Sequence, residues 1–406
     1  MIDQPDRGIL RDLAARVAEE SSHPIMTQRR EMWRRHHRLE RVRPMILVFP
    51  EGSWRELLPP SALACQGERA REIELALRRR LYTREHIDDD SVLERTWVVP
   101  KRITHSGWGL ETRRIPSDQP TGAFAFDPVI VEPSDLDKLH FPQVEVDEEG
   151  SQADLAEAQE LFGDILDVRL KGISHVSFHL MSLYTGLRGL EQVMWDMHDN
   201  PGMLHDAMAF LEEGHRQLIA QYEAQDLLSL NNDDTYHSSG GVGYTDELPQ
   251  PDFDGHVRPC DMWASAEAQE MAQVSPRMHA EFILPYEKRL LEPFGLNGYG
   301  CCEDLADKLA DVLTIPRLRR VSISPFADVV RCAEQLGDRV IFSWKPHPAH
   351  LVGAFDEERI RADIRHTMEA TRGCIVEMIL KDTHTCEHHP ERFTRWTAIA
   401  RELAEA

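Results

Sequence analysis

Short apolar runs recur along the sequence and alternate with segments of helical character, and this alternation limits the folds open to the chain. Strands that alternate with helices are typical of crossover units and a parallel sheet. The runs, rich in Val, Ile, Phe and Leu, lie at 45–50, 173–180, 226–231, 260–265, 295–301, 319–325, 339–346 and 374–381. Eight candidate strands predict an α/β fold of the (β/α)8 TIM-barrel type. A run at 163–170 is a further candidate, and a doubly wound open sheet is the alternative architecture.

The helical segments between these runs show the expected periodicity. In 265–293, which Pro276 interrupts, Met278, Phe282, Tyr286 and Leu290 follow one another at intervals of four, as a single helical face requires. Further helices are predicted at 302–313, 327–336 and 356–371.

The chain is expected to have two parts. Residues 1–44 predict a helical N-terminal extension, whose basic stretch 27–43 is interpreted as a solvated helix face. Residues 45–406 predict the barrel. Within them, 51–172 fits the alternation poorly because of its long polar stretches, and it is expected to be an irregular insertion or lid that either closes the site or forms a homodimer interface.

Composition excludes several classes of partner. The chain has 406 residues and a formal net charge of −24, which argues against a nucleic-acid backbone or an anionic membrane surface as a partner. No stretch approaches the roughly 20 apolar residues of a membrane span, and the charged N-terminus lacks an apolar signal region. Seven scattered cysteines, an odd number, indicate a reduced, cytoplasmic protein.

Side chains that bind ligands or transfer protons cluster where several of these runs end. Active sites of such barrels lie at the C-terminal ends of the strands, so we expect these side chains to meet at one mouth of the barrel. The residues with this position and chemistry include Asp233, His237, Cys301, Cys302, Glu303, Trp344, Lys345, Asp382 and His384.

These residues suggest separate roles. Glu303, Asp382 and His384 are predicted to be catalytic, with Asp382 positioned to orient the imidazole. A structural role is the alternative for each cluster, because Cys is often buried and Asp, Ser and Gly favour turns. The predicted substrate-binding residues are Asp233, Trp344 and Lys345. The sequence contains no phosphate loop, no convincing dinucleotide fingerprint, no HExxH and no GxSxG motif.

Four stretches also carry a family resemblance. They are RGLEQVMWDMHDNPGMLHDAM (188–208), SPRMHAEFILPYEKRLLEPFG (275–295), YGCCEDL (299–305) and KDTHT (381–385). Through the order of helix, strand and polar turn in these stretches, the chain resembles the uroporphyrinogen decarboxylase superfamily over roughly 170–403. It looks more like the corrinoid-related methyltransferase branch than like the decarboxylases proper.

The resemblance implies a (β/α)8 barrel and, as in several members of that branch, a zinc ion held by a His-x-Cys pair and a final Cys. On this chain the pair falls on Gly300 and Cys302, and the final ligand falls at or near His384. The Cys is matched, the His of the pair is missing, and a His replaces the last Cys. The predicted zinc site is therefore rebuilt from Cys302 and His384 with His237 or Glu303 as third ligand.

The function implied by the resemblance is transfer of a methyl group between a small methylated substrate and a corrinoid. The chain lacks the signature Asp-x-His-x-x-Gly, so the corrinoid is expected on a separate partner protein. The alternative is a metal-independent lyase or decarboxylase that acts on a small carboxylate, with Lys345 as anchor and His384 as proton donor. A binding protein built on a barrel scaffold is the third interpretation.

Overall fold

A computed structural model describes residues 2–116 and 124–406, so part of the predicted insertion, 117–123, lies outside the described residues. Seven parallel strands form the central sheet. In chain order, the strands of the described residues are β1 (Met45–Val48), β2 (Thr96–Pro100), β3 (Arg102–His105), β4 (Arg113–Ile115), β5 (Ala125–Asp127), β6 (Val144–Asp147), β7 (Asp167–Lys171), β8 (Ser177–Phe178), β9 (Tyr236–His237), β10 (Gly241–Val242), β11 (Trp263–Ala266), β12 (Leu296–Tyr299), β13 (Leu318–Ile323), β14 (Ile341–Trp344) and β15 (Ile375–Leu380).

The helices lie mainly before the sheet and between its strands. Those of the described residues are α1 (Gln4–Ser21), α2 (Pro24–His37), α3 (Trp54–Leu57), α4 (Glu68–Tyr82), α5 (Glu148–Phe162), α6 (Leu180–Arg188), α7 (Leu190–Asp199), α8 (Pro201–Ala224), α9 (Pro276–Phe282), α10 (Leu284–Leu291), α11 (Leu309–Val312), α12 (Val329–Leu336), α13 (Glu357–Ala370) and α14 (Glu391–Ala404). None of the helices in 2–116 and 124–406 is long and apolar enough to cross a membrane.

The sheet confirms the parallel α/β part of the fold prediction. Its strand order is β1-β15-β14-β13-β12-β11-β8, and every neighbouring pair is parallel. Within the described ranges no ladder joins β1 to β8, so the closure of an eight-stranded barrel is not shown. The predicted strand 226–231 is reduced to one parallel bridge between Leu228 and Ile173. The alternative run 163–170 corresponds to β7, which pairs with β2 outside the main sheet.

The edge of β1 that has no neighbouring strand is hydrogen-bonded to side chains. Its Ile46 and Val48 amides donate to the carboxylates of Asp90 and Asp89, both at 2.8 Å. A buried edge amide without a partner would be costly. Two acidic residues therefore do at this edge what a neighbouring strand does elsewhere in the sheet.

The basic stretch 27–43 is a solvated helix face only in part, since Arg35, Arg38 and Arg41 are exposed. The other face of α2 is buried and carries Arg29, Trp33, His36 and His37. His36 Nε2 lies 3.2 Å from Glu377 Oε2 inside the sheet. Helix α2 therefore packs its basic and aromatic face against the sheet strands. The division into an extension at 1–44 and a barrel at 45–406 remains a prediction.

A short hairpin, β9–β10, packs against the inner face of the sheet. His237 Nδ1 lies 2.7 Å from Arg320 Nη1, and its Nε2 lies 3.2 Å from the carbonyl oxygen of Ala264. A Cβ atom on Gly241 would lie 2.3 Å from Arg320 Cζ, so only glycine permits this approach. We call residues 236–242 the plug hairpin.

The two faces of the sheet carry different chemistry. Val321, Phe342, Trp344 and Met378 belong to the large apolar cluster that includes the helices. Side chains alternate between the faces of a strand, so the residues beside them in sequence point to the other face, where the plug hairpin lies. That inner face carries Arg320, Ser343 and Glu377, and Lys345 follows in the same alternation.

Candidate functional site

A chain of contacts joins the ends of β12 and β15 through the plug hairpin. Lys381, directly after β15, places Nζ 3.4 Å from Ser239 Oγ. The Ser239 hydroxyl lies 3.3 Å from the sulfur of Cys301, which follows β12. The C-terminal ends of parallel strands are where active sites of such folds form. This contact chain is the centre of the candidate site.

The thiol that faces this chain is Cys301. Its sulfur lies 3.6 Å from that of Cys302, which is exposed. The contact with Cys302 lowers the pKa of Cys301 to about 6, with burial acting against it and with the Ser239 hydroxyl and Lys381 lowering it further. A thiol whose pKa is lowered is deprotonated more readily and is the better nucleophile near neutral pH. The sequence predicted Cys302, whereas the structure gives Cys301 the more reactive surroundings.

The side chain of Glu303 is hydrogen-bonded to the backbone of the same turn. Its carboxylate accepts the amide of Cys301 at 2.8 Å and the amide of Ala268 at 3.3 Å. The residue is buried, and burial raises the pKa of Glu303 to about 7, with the charge of Glu267 adding to the effect. A carboxyl group with such a pKa can both donate and accept a proton near neutrality.

His179 and Glu267 form a pair that the sequence interpretation missed. β11 lies between β8 and β12, with Ala266 in register with both Phe178 and Tyr299. His179 and Glu267 are the next residues on their strands. His179 Nδ1 is hydrogen-bonded to Glu267. His179 is the second-last residue of the run 173–180 and Glu267 lies two residues after the run 260–265, so a polar residue at a predicted strand end is the sequence signal that points to each.

The hydrogen bond to Glu267 favours the protonated form of the His179 imidazole. Burial alone would lower the pKa of His179, but the hydrogen bond to Glu267 raises it above its ordinary value. The side chain of His179 is 47% exposed while that of Glu267 is 4% exposed. His179 therefore reaches solvent on one side and a buried carboxylate on the other, which is the arrangement of a proton-transfer histidine.

The predicted zinc ligands are not brought together. His237 has both ring nitrogens engaged, by Arg320 and by Ala264, and burial lowers its pKa strongly. Cys302 and His384 are exposed at the rim. Residues 2–116 and 124–406 contain no group of three His, Cys, Asp or Glu side chains that could hold a metal ion. This donor set therefore does not fit zinc as it stands.

The predicted catalytic pair Asp382 and His384 lies at the rim of the site. Asp382 has a positive φ of 58° and places Oδ1 3.6 Å from Lys381 Nζ. No hydrogen bond joins it to His384 in the described part of the chain, and His384 is exposed. An orienting role of Asp382 toward His384 remains a prediction.

The three predicted substrate-binding residues lie in different places. Lys345 faces the inner side of the sheet, where Nζ donates to Ser343 Oγ at 2.7 Å. Trp344 faces the outer side and lines a cleft of about 600 Å³ beside α12 and α13. Asp233 pairs with Lys171 at 2.7 Å in a third place, a cleft of about 860 Å³ beside β7 and α2. One substrate cannot contact all three residues in this arrangement.

Comparisons with known proteins find similarity only among solved structures. No protein-family model matches the sequence, and no curated protein matches it. Among solved structures, the chain is similar to a methyltransferase from Methanosarcina mazei, with 13% sequence identity, 91% of this chain and 97% of that chain covered, and a TM-score of 0.49. A similarity at this level assigns neither a family nor an activity.

Proposed function

We propose that the protein is an enzyme that moves a methyl group between a small methylated substrate and a corrinoid carried by a partner protein. The reaction class comes from the resemblance of the sequence to the methyltransferase branch. The observation that supports it is the contact chain Lys381–Ser239–Cys301, with Glu303 and the His179–Glu267 pair beside it.

Methyl transfer places a simple demand on such a site. The bond between the methyl carbon and its heteroatom breaks with both electrons left on the heteroatom, which must therefore be charged or protonated beforehand. The corrinoid, when its carrier docks, supplies the methyl-accepting centre.

The residues of the chain itself supply the proton. Glu303 is buried against the turn that carries Cys301 and holds a proton near the substrate heteroatom. His179 exchanges that proton with solvent through its exposed ring, and Glu267 keeps the ring in place. Side chains in such roles typically contribute 10²- to 10⁴-fold to the rate.

A lyase or decarboxylase acting on a small carboxylate without a metal is the second candidate, and Lys345 favours it. This lysine is buried, and in the described ranges no carboxylate lies within ion-pair distance of it. Burial lowers the pKa of Lys345 to about 7. A buried amine that is partly neutral at pH 7 is suited to carbonyl chemistry.

The deciding experiment mixes the purified protein, a corrinoid protein and methylated donors, and follows the visible spectrum of the corrinoid. Glu303→Gln and His179→Gln are expected to slow methyl transfer by about 10²-fold or more. The matched control is Asp304→Asn, an exposed neighbour that only caps the amide of Ala306.

Two results would redirect the assignment. Wild-type rates in both variants would remove Glu303 and His179 from the reaction. Release of carbon dioxide from a small acid, lost in Lys345→Met and independent of any corrinoid, would favour the second candidate instead.

A further inference from the structure

Groups of opposite charge lie on either side of Cys301. On one side are Lys381 and the hydroxyl of Ser239, which we call the ammonium side. On the other are the carboxyl groups of Glu267, Glu270 and Glu303, which we call the carboxyl side. The ammonium side follows β15 and includes the tip of the plug hairpin, and the carboxyl side follows β11 and β12, with β13 and β14 between them in the sheet.

On the ammonium side, Lys381 makes no short hydrogen bond to any of the described residues. At hydrogen-bond or ion-pair distance, Lys381 Nζ has two polar neighbours in the described residues, Ser239 Oγ at 3.4 Å and Asp382 Oδ1 at 3.6 Å. Charge-assisted hydrogen bonds are usually about 2.7–2.9 Å long, so both contacts are weak. The side chain of Lys381 is only 10% exposed. The charges of Cys301 and Glu51 also favour its charged form. A ligand carboxylate at hydrogen-bond distance would add a direct contact that none of these groups makes.

The tip of the plug hairpin adds one hydroxyl group to this side. Ser239 bridges Lys381 and Cys301. The hydroxyl of the neighbouring Ser238 lies elsewhere, 2.9 Å from where a Cβ atom on Gly298 would be, and has no partner among the described residues. Gly240 follows, and a Cβ atom there would lie 3.6 Å from Lys381 Cδ and 2.8 Å from Ile379. The glycine therefore lets the hairpin tip with Ser239 approach the lysine.

The carboxyl side has more carboxyl groups than cations to pair with them. Glu270 has a buried Oε2 atom without a partner in the described part of the chain. Burial raises the pKa of Glu270, and the charge of Glu267 raises it further. Of the nearby cations, His179 is paired with Glu267 and Lys308 donates to the carbonyl oxygen of Met271 at 2.9 Å, so neither is hydrogen-bonded to the free Oε2 of Glu270. A ligand cation would relieve the repulsion among these carboxyl groups.

Short contacts connect the two sides. Ser239 Oγ lies 3.3 Å from Cys301 Sγ, and the amide of Cys301 lies 2.8 Å from Glu303. Glu303 in turn accepts the amide of Ala268, the residue after Glu267. The opposite charges are thus connected through Ser239, Cys301 and Glu303.

We propose that this site binds a small zwitterion, with its carboxylate on Lys381 and Ser239 and its methylated ammonium against Glu267 and Glu270. The inference rests on the proposed function, because it names the substrate class for methyl transfer. The methyl carbon would pass to the corrinoid on its carrier as the C–N bond breaks, the electron pair of that bond stays on nitrogen, and the nitrogen becomes a neutral amine. The carboxyl side favours the cationic nitrogen, which is the form that can release its methyl group. A tertiary or secondary amine reaches this form with the proton held by Glu303, and a quaternary nitrogen is already in it.

Calorimetric titration of the wild-type protein with three probes tests the site without any turnover. Glycine betaine carries both charges, choline lacks the carboxylate, and 3,3-dimethylbutyrate has the same shape without the positive charge. We expect betaine to bind at least about tenfold more tightly than either analogue, equivalent to about 1.4 kcal/mol. Equal affinity for all three would overturn the proposal. So would the failure of betaine, N,N-dimethylglycine and sarcosine to bind more tightly than about 10 mM.

Variants then assign each charge to its side. Lys381→Met is expected to weaken betaine about tenfold or more while leaving choline unchanged, and Glu267→Gln with Glu270→Gln is expected to weaken betaine and choline but not dimethylbutyrate. The matched control is Lys288→Met on the outer helix α10, whose Nζ contacts Thr314. Thermal melting of each variant verifies folding. Loss of all three probes in Lys381→Met, with folding intact, would overturn the two-sided assignment.

The two proposals fail separately. Betaine binding without methyl transfer to any corrinoid protein contradicts the proposed function and leaves the zwitterion site in place. Methyl transfer from an uncharged donor, with no betaine binding, contradicts the zwitterion site and leaves the function in place.

Discussion

The guanidinium of Arg320 donates from Nε to Glu377 Oε1 at 2.8 Å, and the two side chains are 1% and 0% exposed. The same guanidinium contacts His237 Nδ1 and His37 Nε2, both at 2.7 Å. This buried ion pair therefore ties β13 and β15 to the plug hairpin and to helix α2. It is the polar centre of the inner face of the sheet.

Arg320→Met is expected to destabilise the protein by about 3–5 kcal/mol, because it leaves the charge of Glu377 buried without its partner. Urea unfolding measures the loss. The control is Arg395→Ala, which breaks a half-exposed surface pair with Glu357 and is expected to cost at most about 1 kcal/mol. A cost below about 1 kcal/mol for Arg320→Met would show that the pair contributes little.

The same pair predicts a sensitivity to acid. Burial alone would raise the pKa of Glu377, but Arg320 and His36 hold it well below its ordinary value. Since the folded pKa lies below the unfolded value of about 4.3, the stabilisation is complete above that pH and is lost as the pH falls toward the folded pKa. We expect the unfolding free energy of wild type to decline more steeply below about pH 4 than that of Glu377→Gln. Parallel declines would contradict this.

Cys301 is expected to react with iodoacetamide at pH 7 faster than the other cysteines, since its pKa is lowered to about 6. The alkylation rate, followed by mass spectrometry, should reach half its maximum near that pH. Cys302→Ser replaces the thiol donor with a hydroxyl, and Cys302→Ala removes the donor entirely, so the pKa of Cys301 should rise most in the alanine variant. Preferential labelling of Cys302 would reverse the assignment of the two thiols.

Zinc analysis tests the predicted ligand set directly. Because both nitrogens of His237 are engaged in the buried network, we expect the zinc content after incubation at neutral pH to be the same in wild type and in Cys302→Ser. Atomic absorption gives the stoichiometry. About one zinc per chain, lost in both Cys302→Ser and His237→Ala, would mean that the plug hairpin rearranges to release the imidazole.

The sequence predicted the sheet strands well where apolar runs are flanked by clear helices, as at 374–381. It failed at 226–231, where the run forms one bridge only. There the side chain of Asn231 takes the role of backbone pairing, donating to the carbonyl oxygens of Ser174 and Trp263 at 2.8 and 2.9 Å. The pattern of hydrophobic residues cannot indicate that a side chain makes hydrogen bonds in place of a strand backbone.

The arrangement of the site residues was harder to predict. Trp344 and Lys345 were both predicted to bind substrate, although neighbours on a strand such as β14 face opposite sides of the sheet. The partners of Arg320, in contrast, come from positions about 280 and 80 residues away, as the separations of 283 from His37 and 83 from His237 show. Such contacts depend on tertiary packing, which local patterns do not encode.

The plug hairpin has a consequence for how large molecules meet this protein. With residues 236–242 lying against the inner face of the sheet and Gly241 in close contact with Arg320, that face is occupied by the protein itself. A bulky reaction partner therefore has to approach Cys301 from the side of the strand ends, where Asp382 and His384 lie.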